Sequence, residues 1–203
     1  MPITRTNNMA QNTVWVICTL LCVGVALASS RYLFGVGPVP EIIAGNSFQH
    51  PWLLLHIGCA VTALVIGPLQ FWTRLRQRQL TLHRWLGRTY VTTCLVGGLS
   101  GLVLALGTSA GIVATLGFGV LAIVWITSTF AAWRFAVQRK FVRHRAWMIR
   151  SFALTFAAVT LRLYLPLAAL LPISFVVGYQ AISFLCWIPN LLIAEFYIRA
   201  TKI

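Results

Sequence analysis

The chain is 203 residues long, 59% apolar and 9% charged, with 16 lysines and arginines against two acidic side chains and a net charge of +14. So few charges exclude an ordinary water-soluble domain, where about a quarter of residues are charged. The basic residues sit in short clusters between long apolar runs, which assigns the charge to membrane topology and not to a nucleic-acid face.

A hydrocarbon core about 30 Å thick takes about 20 apolar residues per helix. Six segments qualify, at 12–34, 52–73, 85–106, 110–133, 147–171 and 174–198. Backbone groups at that depth must be satisfied within the segment, so each is predicted as a helix, and the alternation of a membrane β-barrel is missing. The expected fold is an all-α integral membrane bundle in one transmembrane domain covering residues 1–203.

The first segment has a second reading. Thr13 to Val25 followed by Ala26-Leu27-Ala28 resembles a signal peptide with its cleavage site. Arg5 is its only basic flank, however, and apolar residues resume at Tyr32, so a retained span is expected; cleavage would leave five. Residues 35–51, with Pro38, Pro40, Glu41 and His50, read as a loop.

Arg74, Arg76, Arg78, Arg84 and Arg88 flank the second connection, and Arg134, Arg139, Lys140, Arg143, Arg145 and Arg150 flank the fourth. Both are therefore expected on the cytoplasmic side of the membrane. Six spans then bring Arg5, Arg199 and Lys202 to the same side, which accounts for fourteen of the sixteen basic residues; Arg31 and Arg162 are the exceptions. Trp72, Trp85, Trp133 and Trp147 fall near the basic boundary and Trp52 near the other, where indoles prefer to sit.

The third predicted helix opens on His83-Arg84-Trp85-Leu86-Gly87-Arg88-Thr89-Tyr90, and the fifth on His144-Arg145-Ala146-Trp147-Met148-Ile149-Arg150-Ser151-Phe152. With one residue inserted these are one motif, so spans 2–3 and 4–5 read as a duplicated hairpin related by an axis along the membrane normal. The repeat places His83 and His144 at equivalent depth.

Polar and small residues at helical spacing mark faces turned into the bundle. His56, Ala60, Ala63, Gly67 and Gln70 form such a stripe, as do Tyr90, Cys94, Gly97 and Gly101, and Ser151, Thr155, Ala158 and Arg162; span 6 adds Gln180, Ser183, Trp187 and Asn190. Gly97 and Gly101 form a pair that lets a neighbour approach closely. Arg162 lies about 22 Å from the basic end of its segment at about 1.5 Å per residue, where a charge requires a partner or a wet cavity. His56 and an anionic ligand group are its candidate partners. Glu195, near the basic boundary, is expected to pair with Arg150 or Arg199. The five cysteines lack CxxC spacing and read as small apolar residues, and no metal-ligand pattern is present.

Trp52 with His56, Gly67-Pro68-Leu69-Gln70-Phe71, the two His-Arg motifs, Leu161-Arg162, and Asn190-Leu191 with Glu195 together resemble the bacterial membrane family known as domain of unknown function 2306. That resemblance implies a multi-pass protein of the bacterial inner membrane and brings no activity. A more distant similarity is to transmembrane b-type cytochromes of the cytochrome b561 kind, which hold haem between histidines of facing helices. It implies His83 and His144 as axial ligands of haem b and Arg88 and Arg150 as propionate contacts. The fourth span departs from that pattern in having no histidine to pair with His56.

Three functions follow. One is an electron carrier or oxidoreductase subunit, with haem at His83 and His144 and a quinone near His56 and Arg162. Another is a transporter or a ligand- or lipid-binding protein whose cavity holds an anionic group on Arg162. The third is an assembly partner of a larger membrane complex.

Overall fold

The computed structural model describes the backbone of residues 4–203 and the side chains from Asn12 onward. The Arg5 side chain, which the charge pattern places at the basic end, lies outside the described residues. Six stretches are long and apolar enough to cross a membrane, and no strand occurs among the described residues.

The first span is α1 (Thr4–Ser30), extended by a 3-10 turn at Arg31–Phe34. The short α2 (Glu41–Ala44) follows, then the second span, α3 (Gln49–Gln70). The basic connection holds its own short helix, α4 (Thr73–Arg78), before the third span, α5 (Leu80–Leu106). The fourth span is α6 (Ile112–Val137). The fifth is broken into α7 (Phe141–Thr155) and α8 (Ala157–Ala169), and the sixth into α9 (Phe175–Leu185) and α10 (Ile188–Ala200).

The third and fifth spans start earlier than hydropathy predicts. Polar residues at 79–84 and 140–145 lower the local hydropathy, but their backbones continue the helix into the interface. His83 and His144 are consequently each the fourth residue of their helices, and their amides bond the Gln79 and Lys140 carbonyls, both at 2.9 Å. The local backbone thus repeats as the motif does.

Consecutive spans α3–α5, α5–α6 and α6–α7 pack side by side, and α1 packs on α3. Tyr90, Cys94, Trp125, Met148, Leu154 and Trp187 fill the main core, while Cys22, Ala26, Leu64 and Val159 seat α1 against α3 and α8. Many large apolar side chains, among them Leu20, Leu99, Leu116 and Ile193, are exposed, as a lipid-facing surface requires.

Pro189 carries no N–H and interrupts the sixth span, freeing carbonyls in the turn before it. Side chains take up the neighbouring ones. Trp187 Nε1 donates to the Ser183 carbonyl at 3.0 Å, and Asn190 Nδ2 lies 2.9 Å from the Cys186 carbonyl. Asn190 also reaches the fifth span, at Thr160 Oγ1 (2.7 Å) and the Ala153 carbonyl (3.3 Å), across its own break. One amide therefore ties the two discontinuities together. Asn190→Leu is expected to cost about 1–2 kcal/mol, read as an earlier transition in detergent unfolding followed by circular dichroism.

The segment predicted as a plain loop between the first two spans instead folds over the end of the bundle. Asn46 Nδ2 donates to the Leu104 carbonyl at 2.8 Å, and the Ser47 amide to the Gly107 carbonyl at 3.0 Å. These bonds satisfy carbonyls at the end of α5 and hold α2 against it.

Candidate functional site

Beneath that segment lies a cavity of about 270 Å³ between the second to sixth spans. Its polar wall carries His56 from α3 and Arg162 from α8. Trp125, Phe118, Tyr179 and Tyr32 contribute aromatic surface, and Leu53, Leu104 and Leu161 apolar surface. Asn46 and Ile43 of the covering segment line its outer end.

His56 is held by the glycine pair of α5. Its Nδ1 stands 2.8 Å from the Gly97 carbonyl, which can only accept, so Nδ1 carries the hydrogen and Nε2 presents a bare lone pair. A methyl group at Gly101 would stand 3.0 Å from His56 Cε1 and 3.1 Å from Nδ1. The missing side chain at 101 thus makes room for the imidazole, whereas Gly97 contributes its carbonyl to His56 and its bareness to close packing, a Cβ there standing 3.0 Å from Cys59 Cβ.

Arg162 donates through Nη1 to the Ala158 carbonyl at 2.9 Å, one turn back on its own helix. Its guanidinium is close enough to His56 and to Tyr32 to act on both electrostatically. Neither acidic side chain of the chain is ion-paired with it: Glu195 is bound by Arg150, and Glu41, on the covering α2, does not line the cavity. The guanidinium therefore meets neutral polar groups and an apolar cavity, an arrangement suited to a ligand oxygen.

Behind the cavity wall runs a chain of buried hydroxyls. Thr155 donates to the Ser151 carbonyl at 3.0 Å, and its two lone pairs face Trp125 Nε1 (3.0 Å) and Tyr90 Oη (2.8 Å). Tyr90 must then donate to Thr155 and accept from Ser151 at 3.1 Å, which in turn accepts from Thr129 at 2.7 Å. The direction of every hydrogen follows from the Thr155 node. Tyr90, Ser151 and Thr155 are legible as stripe residues; Thr129 and Trp125, on the apolar fourth span, have no polar periodicity to betray them.

His83 and His144 lie at the basic end, near enough to interact electrostatically, with Arg76 and Arg84 also beside His83. His144 Nδ1 donates to the Ala132 carbonyl at 2.8 Å. His83 Nδ1 and Gln70 Nε2 are buried without a partner among the described residues. Arg150 is engaged by Glu195 through Nε and Nη2, the latter at 3.0 Å, and stacks on Trp147. Arg88 lies over exposed Trp85, five residues from His83 and so on another face of α5. The histidines are thus neighbours, while Arg150 is paired with Glu195 and Arg88 projects from another face beside Trp85.

Residues 53–198 match the family described as predicted membrane protein (DUF2306). The chain belongs to the DUF2306 family. The DUF2306 match contains His56, Arg162, the hydroxyl chain and both His-Arg motifs, while Tyr32 and the covering segment precede it. No curated protein and no solved structure matches the chain.

Proposed function

We propose that the chain is a ligand-binding protein of the bacterial inner membrane, a single membrane domain whose cavity holds the ring head of an amphipathic molecule of the hydroquinone class. The observation that carries the reading is the placement of His56 and Arg162 on one cavity wall. Arg162 offers donors to a ligand oxygen, while the bare Nε2 of His56 disfavours a simple anion and asks for an O–H. A hydroquinone supplies both, through one oxygen accepting from Arg162 and one hydroxyl donating to His56. Its ring suits the aromatic surface of Trp125, Phe118 and Tyr179, and about 270 Å³ is near the lower end of small-molecule sites. Tyr32 lines the same cavity, so the reading takes the first span as retained.

The test is titration of decylubiquinone, and of the quinol made by reducing it, into the detergent-purified protein while tryptophan fluorescence is followed. Saturable quenching that weakens in Trp125→Phe is expected. Linear quenching by both forms, as from free partition into micelles, overturns the reading.

Sidedness belongs to the same proposal, with the basic end and both termini in the cytoplasm. Single cysteines placed at Gln77 and Gln138 in a cysteine-free background should resist a membrane-impermeant maleimide in intact cells and react after lysis. Labelling of intact cells reverses the orientation.

A second reading rests on the other histidine pair. Histidine ligands generally donate their second ring nitrogen to a carbonyl or carboxylate, as His144 does, and the Nδ1 of His83, without a partner among the described residues, leaves capacity for a further group. Haem held by these two imidazoles would supply one-electron exchange. Arg150 pairs with Glu195 and Arg88 lies over Trp85, and neither His83 nor His144 lines the central cavity. Purification with haem supply should give a Soret band that His83→Ala and His144→Ala each abolish. A spectrum without the band, oxidised or dithionite-reduced, eliminates it.

A further inference from the structure

A second depression, of about 440 Å³, opens at the basic end between the close of α6 and the first turns of α7. Three cations line it, Arg134, Lys140 and Arg143, with Phe130, Phe135 and Trp147 as its aromatic walls. Arg143 lies over the Phe135 ring at 5.7 Å, which holds its guanidinium at the rim.

The chain has no carboxylate side chain left to neutralise this group. Of its two acidic residues, Glu195 is taken by Arg150 and Glu41 lies at the opposite end of the bundle. Three like charges around one depression repel each other unless an anion joins them. Trp147 lines the depression and Trp133 packs on its Phe130 wall, and indoles favour the headgroup level of a membrane, where phosphodiesters are the abundant anions. The aromatic walls below the cations suit the glycerol backbone and the first methylenes of an acyl chain.

We propose that this groove is a binding site for the phosphate head of an anionic phospholipid. Arg134 and Arg143 offer planar forks for phosphate oxygens and Lys140 a point charge. The site is separate from the cavity holding His56 and Arg162, and neither reading depends on the other.

The experiment compares the full-length protein in detergent with added dioleoylphosphatidylglycerol or dioleoylphosphatidylcholine, by native mass spectrometry. One phosphatidylglycerol is expected to stay bound at activation energies that strip phosphatidylcholine. The variant Arg134→Gln/Lys140→Gln/Arg143→Gln should lower its apparent affinity at least tenfold. Arg74→Gln/Arg78→Gln/Arg84→Gln removes the same charge from the other basic connection and should leave it unchanged. Equal loss in both triples would mean diffuse attraction to a basic face and would overturn the site. Displacement of the lipid by millimolar inorganic phosphate would also overturn it, in favour of a soluble phosphate ligand. If the first triple unfolds early, Lys140→Glu alone reads the same contrast: retention unchanged by reversing this exposed charge refutes the proposal.

Discussion

Arg162→Leu is expected to weaken quinol binding about 10–100-fold while leaving the empty protein as stable as before or more so. A hydrogen bond to a charged group is worth about 1.5–3 kcal/mol, and each 1.4 kcal/mol is a factor of ten in affinity. The stability sign is opposite because a guanidinium inside the membrane costs several kcal/mol unless compensated. Here the described compensation is one bond to the Ala158 carbonyl of its own helix and whatever the cavity holds. Leucine removes the desolvated charge and fills part of the apolar wall. Arg162→Lys keeps the charge without the planar fork and should fall between the two in affinity. The measurements are decylubiquinol titration and thermal unfolding of the same preparations. Unchanged affinity together with a lower transition temperature would make Arg162 a structural residue and remove its role in the site.

The special position of Arg162 is legible in the sequence itself, because a charge about 22 Å into a span has few structural excuses. Periodicity places His56, Gly97, Gly101 and Arg162 on inward faces of three helices, and the bundle sets them around one space. What periodicity cannot supply is which face meets which. Gly97 and Gly101 read as a packing pair, and the space Gly101 leaves for His56 beside the Gly97 carbonyl depends on the rotation of α3 against α5. Trp125 and Thr129 are hidden for a different reason. On a span apolar all round, a buried hydroxyl or indole has no polar stripe to join, and only its partners on α5 and α7 reveal it. The breaks in the fifth and sixth spans are likewise invisible to hydropathy, which records composition and not hydrogen-bond continuity. The covering segment at α2 escapes sequence reasoning because its anchors are carbonyls of Leu104 and Gly107, and every residue has a carbonyl.

Thr155→Val should be the most destabilising of the near-isosteric changes in the core, at about 2–3 kcal/mol. Average side-chain hydrogen bonds within membranes contribute only about 0.6 kcal/mol, so bond count alone does not give this figure. The distinction lies in what is left behind. Tyr90 can turn its hydroxyl toward Ser151, 3.1 Å away, and Ser151 can reverse toward Thr129, so the hydroxyl chain recovers by changing direction. Trp125 has no such freedom, since an indole N–H only donates and Thr155 Oγ1 is its acceptor. An orphaned donor at that depth costs about 1–3 kcal/mol beyond the lost bond. Trp125→Phe in the Thr155→Val background should therefore cost clearly less than Trp125→Phe alone, because the second change removes a donor already without a partner. Thr155→Ser keeps the acceptor and should lose less than about 1 kcal/mol, chiefly through its missing methyl. Detergent unfolding of the three single variants and the double would decide it, and strict additivity of Thr155→Val with Trp125→Phe would show that the node does not hold the indole.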